Sequence, residues 1–293
     1  MALSNKFKTL ISEPPSRGAH KTAGEKQAMT IALCSQKGGV GKTTSAINLG
    51  ASLAYHFGKR VLLVDLDPQG HVEKSLGSLV PDGVDYTPLS QLLAKKKSDI
   101  LDAVIETEWP NLSLTPGDKA MYESESTLAS KIGREFLLKN SLILAKTHYD
   151  LIIFDCPPNL GTLTLNALVA SDYCIVPCEM SVLAFEGVTD LLDTLELVRE
   201  RLNPALAVLG VLFTRVDLRN IKMNELIEGS LKEYFKGTIF KTRITVNTDL
   251  NKAQLEGKPI FAFAPSSSGA TNYHLLAEEV AKRLGIKKSH PVS

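Results

Sequence analysis

The sequence has 293 residues, of which 44% are hydrophobic and 22% charged, and the formal net charge at pH 7 is +1. These values are ordinary for a globular chain, and the length allows one large α/β domain. No run of eighteen apolar residues occurs, which excludes a transmembrane helix, and the first residues lack the apolar core of a secretory signal. We therefore expect a cytoplasmic protein.

Charge is distributed unevenly along the chain. Residues 1–29 carry a net charge of +3, residues 30–214 a net charge of −7, and residues 215–288 a net charge of +5. The positive last quarter indicates either a surface that faces a polyanion or a set of solvated helix faces, and the counts leave both interpretations open.

The four cysteines, Cys34, Cys156, Cys174 and Cys178, all lie in apolar stretches that resemble strands. This pattern predicts buried, reduced thiols rather than disulfides. The spacing of Cys174 and Cys178 is not that of a zinc-binding pair. An iron–sulfur site is the weaker alternative.

Residues 1–28 contain Pro14, Pro15, Gly18, Gly24 and scattered lysines, which predict a flexible N-terminal tail. Within it, residues 6–11 (KFKTLI) could instead form a short amphipathic segment on a partner or membrane. The tail is too short for a helix-turn-helix domain. We expect one domain over residues 29–286, followed by a short C-terminal tail at residues 287–293.

Residues 36–44 (QKGGVGKTT) separate an apolar run at residues 30–34 from a helical pattern at residues 45–53. A strand, a glycine-rich turn and a helix in this order predict a phosphate-binding loop, in which successive backbone N–H groups and the helix N-terminus attract one anion. In such a loop Lys42 reaches the β- and γ-phosphates and the Thr43 hydroxyl ligates Mg²⁺. A glycine-rich turn without a ligand is the alternative. The other predicted members of this loop are Lys37, Gly38, Gly39, Val40, Gly41 and Thr44.

A second lysine, Lys37, lies inside the loop, and Gln36 stands where the usual pattern has glycine. Lys37 can fold back onto its own phosphates or reach a nucleotide on a second subunit, where it would stabilise developing charge as an arginine finger does. The stretch resembles the deviant Walker A box of the ParA/Soj partition ATPases, MinD, the nitrogenase iron protein and the arsenite-pump ATPase, and Gln36 resembles the ParA branch. The resemblance implies that Lys37 is catalytic across a nucleotide-sandwich homodimer.

Residues 60–70 (RVLLVDLDPQG) predict a buried parallel strand that ends in two carboxylates, Asp65 and Asp67. The strand period points both side chains the same way, so beside a phosphate loop they can hold Mg²⁺ waters and orient an attacking water. A structural pair at a strand end is the alternative. The stretch resembles the Asp-x-Asp-Pro-Gln box of the ParA family, which implies that Asp67 polarises the hydrolytic water and that Asp65 supports the metal.

Between residues 76 and 148 the sequence predicts structure and no chemistry. We expect a turn at residues 81–83, a short helix at residues 89–93 and a strand within residues 111–117. Residues 124–148 predict one helix. The apolar positions on or near one face of that helix are Leu128, Ile132, Phe136, Leu137 and Leu144.

Residues 149–158 (YDLIIFDCPP) predict a second buried strand ending in an aspartate. Asp155 there would hold Mg²⁺ through water, as in a Walker B motif. The loop at residues 157–161 could respond to the γ-phosphate and act as a switch. The ParA family has the same Asp-x-Pro-Pro sequence at this place.

Residues 172–178 and 207–217 predict two more strands, separated by a helix with a core-facing apolar stripe. The resemblance implies that Thr214 and Arg215 contact adenine, with Arg215 stacked on the base. Residues 241–247 fit the last strand, and residues 270–284 a C-terminal helix.

The resemblance also implies nonspecific DNA binding through basic residues of the last quarter, but Asp249 and Ser268 occupy two positions where Soj-like proteins carry arginine. Phosphate contacts need charge more than a fixed position, so other cations could rebuild the surface. The candidate DNA-binding residues are Arg219, Lys222, Lys241, Arg243 and Lys252.

Strands alternate with helices throughout, so the sequence predicts a doubly wound, mainly parallel sheet flanked by helices, an α/β fold. The resemblance implies a slow ATPase with ATP and Mg²⁺ as cofactors. The ATP-bound homodimer would bind nonspecific double-stranded DNA on the nucleoid, and a ParB-like activator would stimulate hydrolysis during plasmid or chromosome segregation. One alternative is an ATPase that positions a protein cargo of the division or chemotaxis machinery. Another is a metabolic ligase or reductase, which would need an acceptor pocket or paired cluster cysteines.

Overall fold

The computed structural model describes residues 27–95, 97–180, 184–235 and 237–288. The predicted amphipathic segment at residues 6–11 and nearly all of both predicted tails lie outside these ranges. The strands are β1 (Met29–Leu33), β2 (Val61–Asp65), β3 (Ile105–Glu106), β4 (Leu112–Thr115), β5 (Leu151–Asp155), β6 (Tyr173–Glu179) and β7 (Ala207–Thr214). The helices are α1 (Lys42–Phe57), α2 (His71–Leu76), α3 (Leu89–Ala94), α4 (Met121–Ala129), α5 (Leu137–Ser141), α6 (Ala145–His148), α7 (Thr162–Ala170), α8 (Ala184–Arg201), α9 (Ile221–Tyr234), α10 (Thr248–Leu255), α11 (Ile260–Phe263) and α12 (Ser268–Leu284).

The seven strands form one sheet in the order β3-β4-β2-β5-β1-β6-β7, and every pair is parallel except β3 with β4. Helices pack on both faces, and each face has its own hydrophobic core. The central strands are fully buried because both faces are covered, which explains their continuous apolar sequence. The doubly wound fold expected from the sequence is confirmed. No helix in the described part of the chain is both long and apolar enough to span a bilayer.

The carboxyl ends of the parallel strands meet at one edge of this sheet. The phosphate loop follows β1, the two aspartates end β2 and begin the next loop, and Asp155 ends β5. β1 lies between β5 and β6, where the strand order changes direction, and such a crevice is where open α/β sheets bind ligands.

The single helix predicted over residues 124–148 is wrong, because this segment contains α4, a 3₁₀ turn at Arg134–Phe136, α5 and α6. Gly133 adopts a left-handed conformation (φ 71°) that ends the helical path. Asn166 of α7 fixes the break, since its amide oxygen accepts from the backbone of Leu138 and its amide nitrogen donates to the carbonyl of Arg134. The predicted apolar face is broken as well, because Ile132 is fully exposed.

The last strand predicted at residues 241–247 is also not formed as a strand. The segment runs beside the end of β7, where the N–H of Ile244 donates to the carbonyl of Phe213, and Thr245 forms an isolated bridge with Val216 just beyond β7. Three other N–H groups bond to side chains of α12, because Glu279 accepts from the backbone of Lys241 and Thr242 and Asn272 accepts from Thr245. Side chains of α12 therefore replace part of the backbone ladder that a strand would make. The short antiparallel strand β3 had no counterpart in the sequence prediction.

A pair of histidines joins the end of α1 to α12. The rings of His56 and His274 lie 4.5 Å apart between centroids in an edge-to-face arrangement. Burial lowers the pKa of His56, as do the nearby His274 and Lys288, while Glu278 opposes the shift. The folded state therefore favours neutral His56.

We expect the protein to lose stability as the pH falls through the ordinary histidine range. The pKa of His56 is lower in the folded than in the unfolded chain, so the unfolded chain binds a proton more readily. The contribution of neutral His56 to the free energy of unfolding is therefore complete above about pH 6.5 and declines below it. The measurement is Tm between pH 7.5 and 5 for the wild type and His56→Phe. The variant should lose less Tm over this interval than the wild type. His148→Gln, at an exposed histidine, is the control, and parallel curves for wild type and His56→Phe would contradict the assignment.

Candidate nucleotide and catalytic site

The loop between β1 and α1 has the backbone that phosphate binding requires. Gly39 and Gly41 adopt positive φ angles of 73° and 83°, which side chains other than glycine rarely tolerate. Lys42 is only 6% exposed, and its Nζ donates to the carbonyl of Lys37 at 3.2 Å. The loop therefore encloses the ammonium group of Lys42.

Thr43 and Asp155 meet beside this loop. The Thr43 hydroxyl donates to Asp155 Oδ2 at 2.6 Å, and Asp155 is 1% exposed. Its other oxygen, Oδ1, is buried and has no hydrogen-bond partner among the described residues. Burial, opposed by the Thr43 hydrogen bond and the charge of Lys42, raises the pKa of Asp155 to about 7. A buried carboxylate oxygen without a partner fits a divalent cation, which would restore the charged form.

Asp65 and Asp67 lie next to Asp155 but have different contacts. Asp65 pairs with Asp155 in the register of β2 and β5. Its two oxygens accept from the backbone N–H groups of Asp67 and Val72, at 3.0 and 3.1 Å. Burial and the neighbouring Asp155 raise the pKa of Asp65 well above its usual range. Asp65 thus holds the loop that carries Asp67, while Asp67 accepts from the backbone of Gln69 at 3.0 Å.

The loop after Asp67 is fixed by a close contact between two glycines. A β-carbon on Gly117 would overlap the Cα of Gly70, so the backbones of the loops after β2 and β4 touch directly. Glu73 accepts from the backbone of Gly117 at 3.2 Å. These contacts leave the Asp67 loop little freedom beside the phosphate loop.

Lys37, the second lysine of the loop, points away from Thr43 and Asp155. Its Nζ lies 2.9 Å from Glu179 Oε2 at the end of β6, and its side chain is 47% exposed. Arg215 approaches the same carboxylate at 3.9 Å. The hydrogen bond from Lys37 lowers the pKa of Glu179, which favours the charged form of this carboxylate. The sequence analysis did not identify this partner, and the only signal for it was the position of Glu179 at a strand end.

The two predicted adenine contacts lie against the phosphate loop. Thr214 is 2% exposed and donates to the carbonyl of Val40 at 2.8 Å, whereas Arg215 donates to the carbonyl of Gly39 at 3.2 Å. Their contact with a base stays a prediction.

Four of the candidate DNA-binding residues lie in sequence between β7 and α10, and the fifth, Lys252, lies on α10. Three of the five bind carboxylates. Arg219 pairs with Asp217 at 2.7 Å, Lys252 with Asp249 at 3.3 Å, and Arg243 with Glu228. Lys222 and Lys241 are exposed. The Arg219 and Lys252 pairs are exposed and screened by water, so a phosphate could replace the carboxylate in these two. Glu228, the partner of Arg243, is buried.

The four cysteines are free and buried, as the sequence predicted. Cys34 Sγ and Cys156 Sγ lie 3.1 Å apart beneath the phosphate loop, and burial raises the pKa of both thiols. No group of three or more potential metal ligands of the His, Cys, Asp or Glu type occurs in the described ranges. All four cysteines are buried, and the iron–sulfur alternative stays without an exposed cysteine pair in the described ranges.

Comparison with known proteins gives a consistent result. A family model described as an AAA domain matches residues 28–208. The sporulation initiation inhibitor protein Soj of Bacillus subtilis (strain 168) is 43% identical over 251 residues, covering 86% of this chain and 97% of that protein. The chromosome partitioning protein ParA of Myxococcus xanthus (strain DK1622) is 39% identical over 253 residues, covering 86% and 88%.

Among solved structures, one described as cobyrinic acid a,c-diamide synthase from Mycobacterium smegmatis, with a bound ATP analogue and magnesium, superimposes with a TM-score of 0.75. It is 31% identical, and the match covers 91% of this chain and all of that one. The likeness therefore extends over the whole sheet and both helical layers.

Proposed function

Because the chain belongs to the ParA/Soj family of ATPases, we propose that it is a dimerising switch ATPase that segregates plasmid or chromosomal DNA. Its cofactors are ATP and Mg²⁺. In the ATP state the homodimer binds DNA without sequence preference on the nucleoid, within the cytoplasm, and a ParB-like partner stimulates hydrolysis. The observation that carries the proposal is the pair of loop lysines, one buried inside the loop and one half exposed on Glu179.

The buried residues account for nucleotide binding and hydrolysis. Lys42 and the loop N–H groups bind the phosphates, and Thr43 and Asp155 would hold Mg²⁺, which neutralises phosphate charge when bound. The unpartnered oxygen of Asp155 supports this assignment. Asp67 orients the attacking water, and Asp65 keeps the Asp67 loop in place through its two backbone hydrogen bonds.

Lys37 accounts for the coupling of hydrolysis to dimerisation. In a single chain its ammonium group is held by Glu179, away from the Thr43–Asp155 pair. When a second chain brings its nucleotide to this surface, the phosphates carry more negative charge than the single Glu179 carboxylate. Lys37 then leaves Glu179 and binds these phosphates. The charge is then available for the transition state of the partner's nucleotide.

A protein cargo is the second candidate, and the contacts of the candidate DNA-binding residues support it. Three of these five cations are already paired with carboxylates. The same part of the chain exposes Leu218 and Val246, which are 65% and 62% exposed and lie beside Asp217 and Val216. Mixed apolar and charged surface of this kind is typical of protein partners.

A metabolic enzyme is a third candidate, suggested by the similarity to the solved cobyrinic acid a,c-diamide synthase of M. smegmatis. The identity to Soj is higher than the identity to that structure, 43% against 31%. We therefore prefer a partition ATPase.

Binding to a random DNA duplex tests whether the ATP-bound dimer binds DNA or a protein partner. We expect wild-type protein to bind with ATP and not with ADP, and the affinity to fall steeply between 50 and 200 mM salt, with a slope of about −0.9 per phosphate contact. Lys222→Ala with Lys241→Ala should reduce the slope, whereas Lys119→Ala, an exposed lysine beyond β4, should not. Dimerisation with ATP but no duplex binding would contradict the DNA-binding proposal and favour a protein partner.

A further inference from the structure

Helix α10 lies against the start of α1 and contacts the end of the phosphate loop. Gln254 Nε2 of α10 donates to Thr44 Oγ1 at 3.1 Å, across 210 positions of sequence. Both side chains are half buried. Thr44 directly follows Thr43 and is the third residue of α1, so its hydroxyl lies at the edge of the predicted phosphate site.

The segment that follows Gln254 is fixed to neighbouring elements at two places, and this holds Gln254 in position. Ser78 Oγ donates to the carbonyl of Gly257 at 2.8 Å, and a β-carbon on Gly257 would lie 2.7 Å from the backbone nitrogen of Ser78. The backbone N–H of Ile260 donates to the side-chain oxygen of buried Asn48 at 2.8 Å. Asn48 lies one turn after Thr44 on α1, so α10 is fixed to the same helix that carries the threonine.

The direction of the hydrogen bond decides what the Thr44 hydroxyl can do. A threonine hydroxyl has one hydrogen to donate and two lone pairs that accept. The amide nitrogen of Gln254 occupies one lone pair. The hydroxyl hydrogen therefore stays available for a second acceptor, and donation into the oxygen strengthens the donor ability of that hydrogen.

We propose that Gln254 is a positioning residue for the nucleotide: its amide orients the Thr44 hydroxyl so that the hydroxyl donates to a phosphate oxygen. The inference rests on the ATP site proposed above and extends it to a residue outside the phosphate loop. An α10 side chain thereby becomes part of the nucleotide site, although it does not touch the nucleotide.

Two substitutions test the direction of the bond. Gln254→Met keeps the length of the side chain and removes the donor, and we expect a fluorescent ATP analogue to bind about five-fold more weakly, the effect of one hydrogen bond. Gln254→Glu accepts the hydroxyl hydrogen instead of donating, so binding should weaken further. Asn251→Glu adds the same charge one turn earlier on the exposed side of α10 and should change the affinity less than two-fold, by the usual size of surface effects.

A double-mutant cycle tests whether Gln254 acts through the Thr44 hydroxyl. If it does, Gln254→Met causes no further loss of affinity in a Thr44→Val background. Tm is measured for every variant, because a bond that only ties the two helices together would lower Tm in Gln254→Met and leave the affinity of the folded protein at the wild-type value. Additive losses, or equal affinities of wild type and Gln254→Met, would overturn the inference. Absence of ATP binding by the wild type would instead overturn the proposed function.

Discussion

Replacing Asp67 with alanine should leave ATP binding intact and reduce hydrolysis by about 10²- to 10⁴-fold, the range for loss of a group that handles the proton of a nucleophile. The fold should survive, because Asp67 is 8% exposed and its side chain accepts a single backbone hydrogen bond within its own loop. The carboxylate that holds this loop, Asp65, stays in place.

The measurement is single-turnover ATP hydrolysis together with the Kd for an ATP analogue. With hydrolysis blocked, the variant should accumulate as an ATP-bound dimer in sedimentation or light scattering. Asp85→Ala removes an exposed carboxylate on the surface and serves as the matched control. Turnover near the wild-type rate by Asp67→Ala would remove Asp67 from the catalytic role.

Replacing Lys37 with alanine should abolish measurable hydrolysis while ATP still binds to each chain. Lys42 inside the loop is untouched, so the phosphates keep their nearest cation. What is lost is a second positive charge at the transition state, which in related phosphoryl transfer contributes on the order of 10³-fold or more. The loss of the exposed Lys37–Glu179 pair should change stability by less than about 1 kcal/mol.

Mixing two inactive variants tests whether Lys37 acts across the dimer. In a heterodimer of Lys37→Ala and Asp67→Ala, one site combines an intact Asp67 with an intact Lys37 from the other chain. A two-fold dimer then predicts recovery of about a quarter of the wild-type rate in an equal mixture. If Lys37 acts within its own chain, neither site is complete and the mixture stays inactive.

The variant Glu179→Gln tests the same mechanism from the other side of the ion pair. It frees Lys37 and should increase ATP-dependent dimerisation.

The parts of the site that the sequence predicted are those encoded by short stretches. A glycine-rich turn between a strand and a helix, and carboxylates at the ends of apolar strands, fix both the local backbone and its place at the edge of the sheet. Thr43 and Asp155 therefore lie in contact, and Lys42 lies inside the same loop, while their roles stay predictions.

The parts that could not be predicted depend on contacts between distant segments. The Lys37–Glu179 pair joins residues 142 positions apart, and the bond from Gln254 to Thr44 spans 210. The predicted helix over residues 124–148 failed for the same reason, because Asn166 of a later helix stabilises the break near Gly133. Local periodicity carries no information on such partners.

The strand order has a consequence for how the protein is made. β1 and the phosphate loop leave the ribosome early, yet both neighbours of β1 in the sheet, β5 and β6, come much later. Cys34 and Cys156, which directly follow the last pair of β1 with β5, are 122 residues apart. At about 5–20 residues per second, translation needs roughly 6 to 24 s to deliver β5. Until then the nascent chain has an apolar first strand without a partner and no Asp155 beside Thr43, so the ability to bind nucleotide appears only in the second half of synthesis.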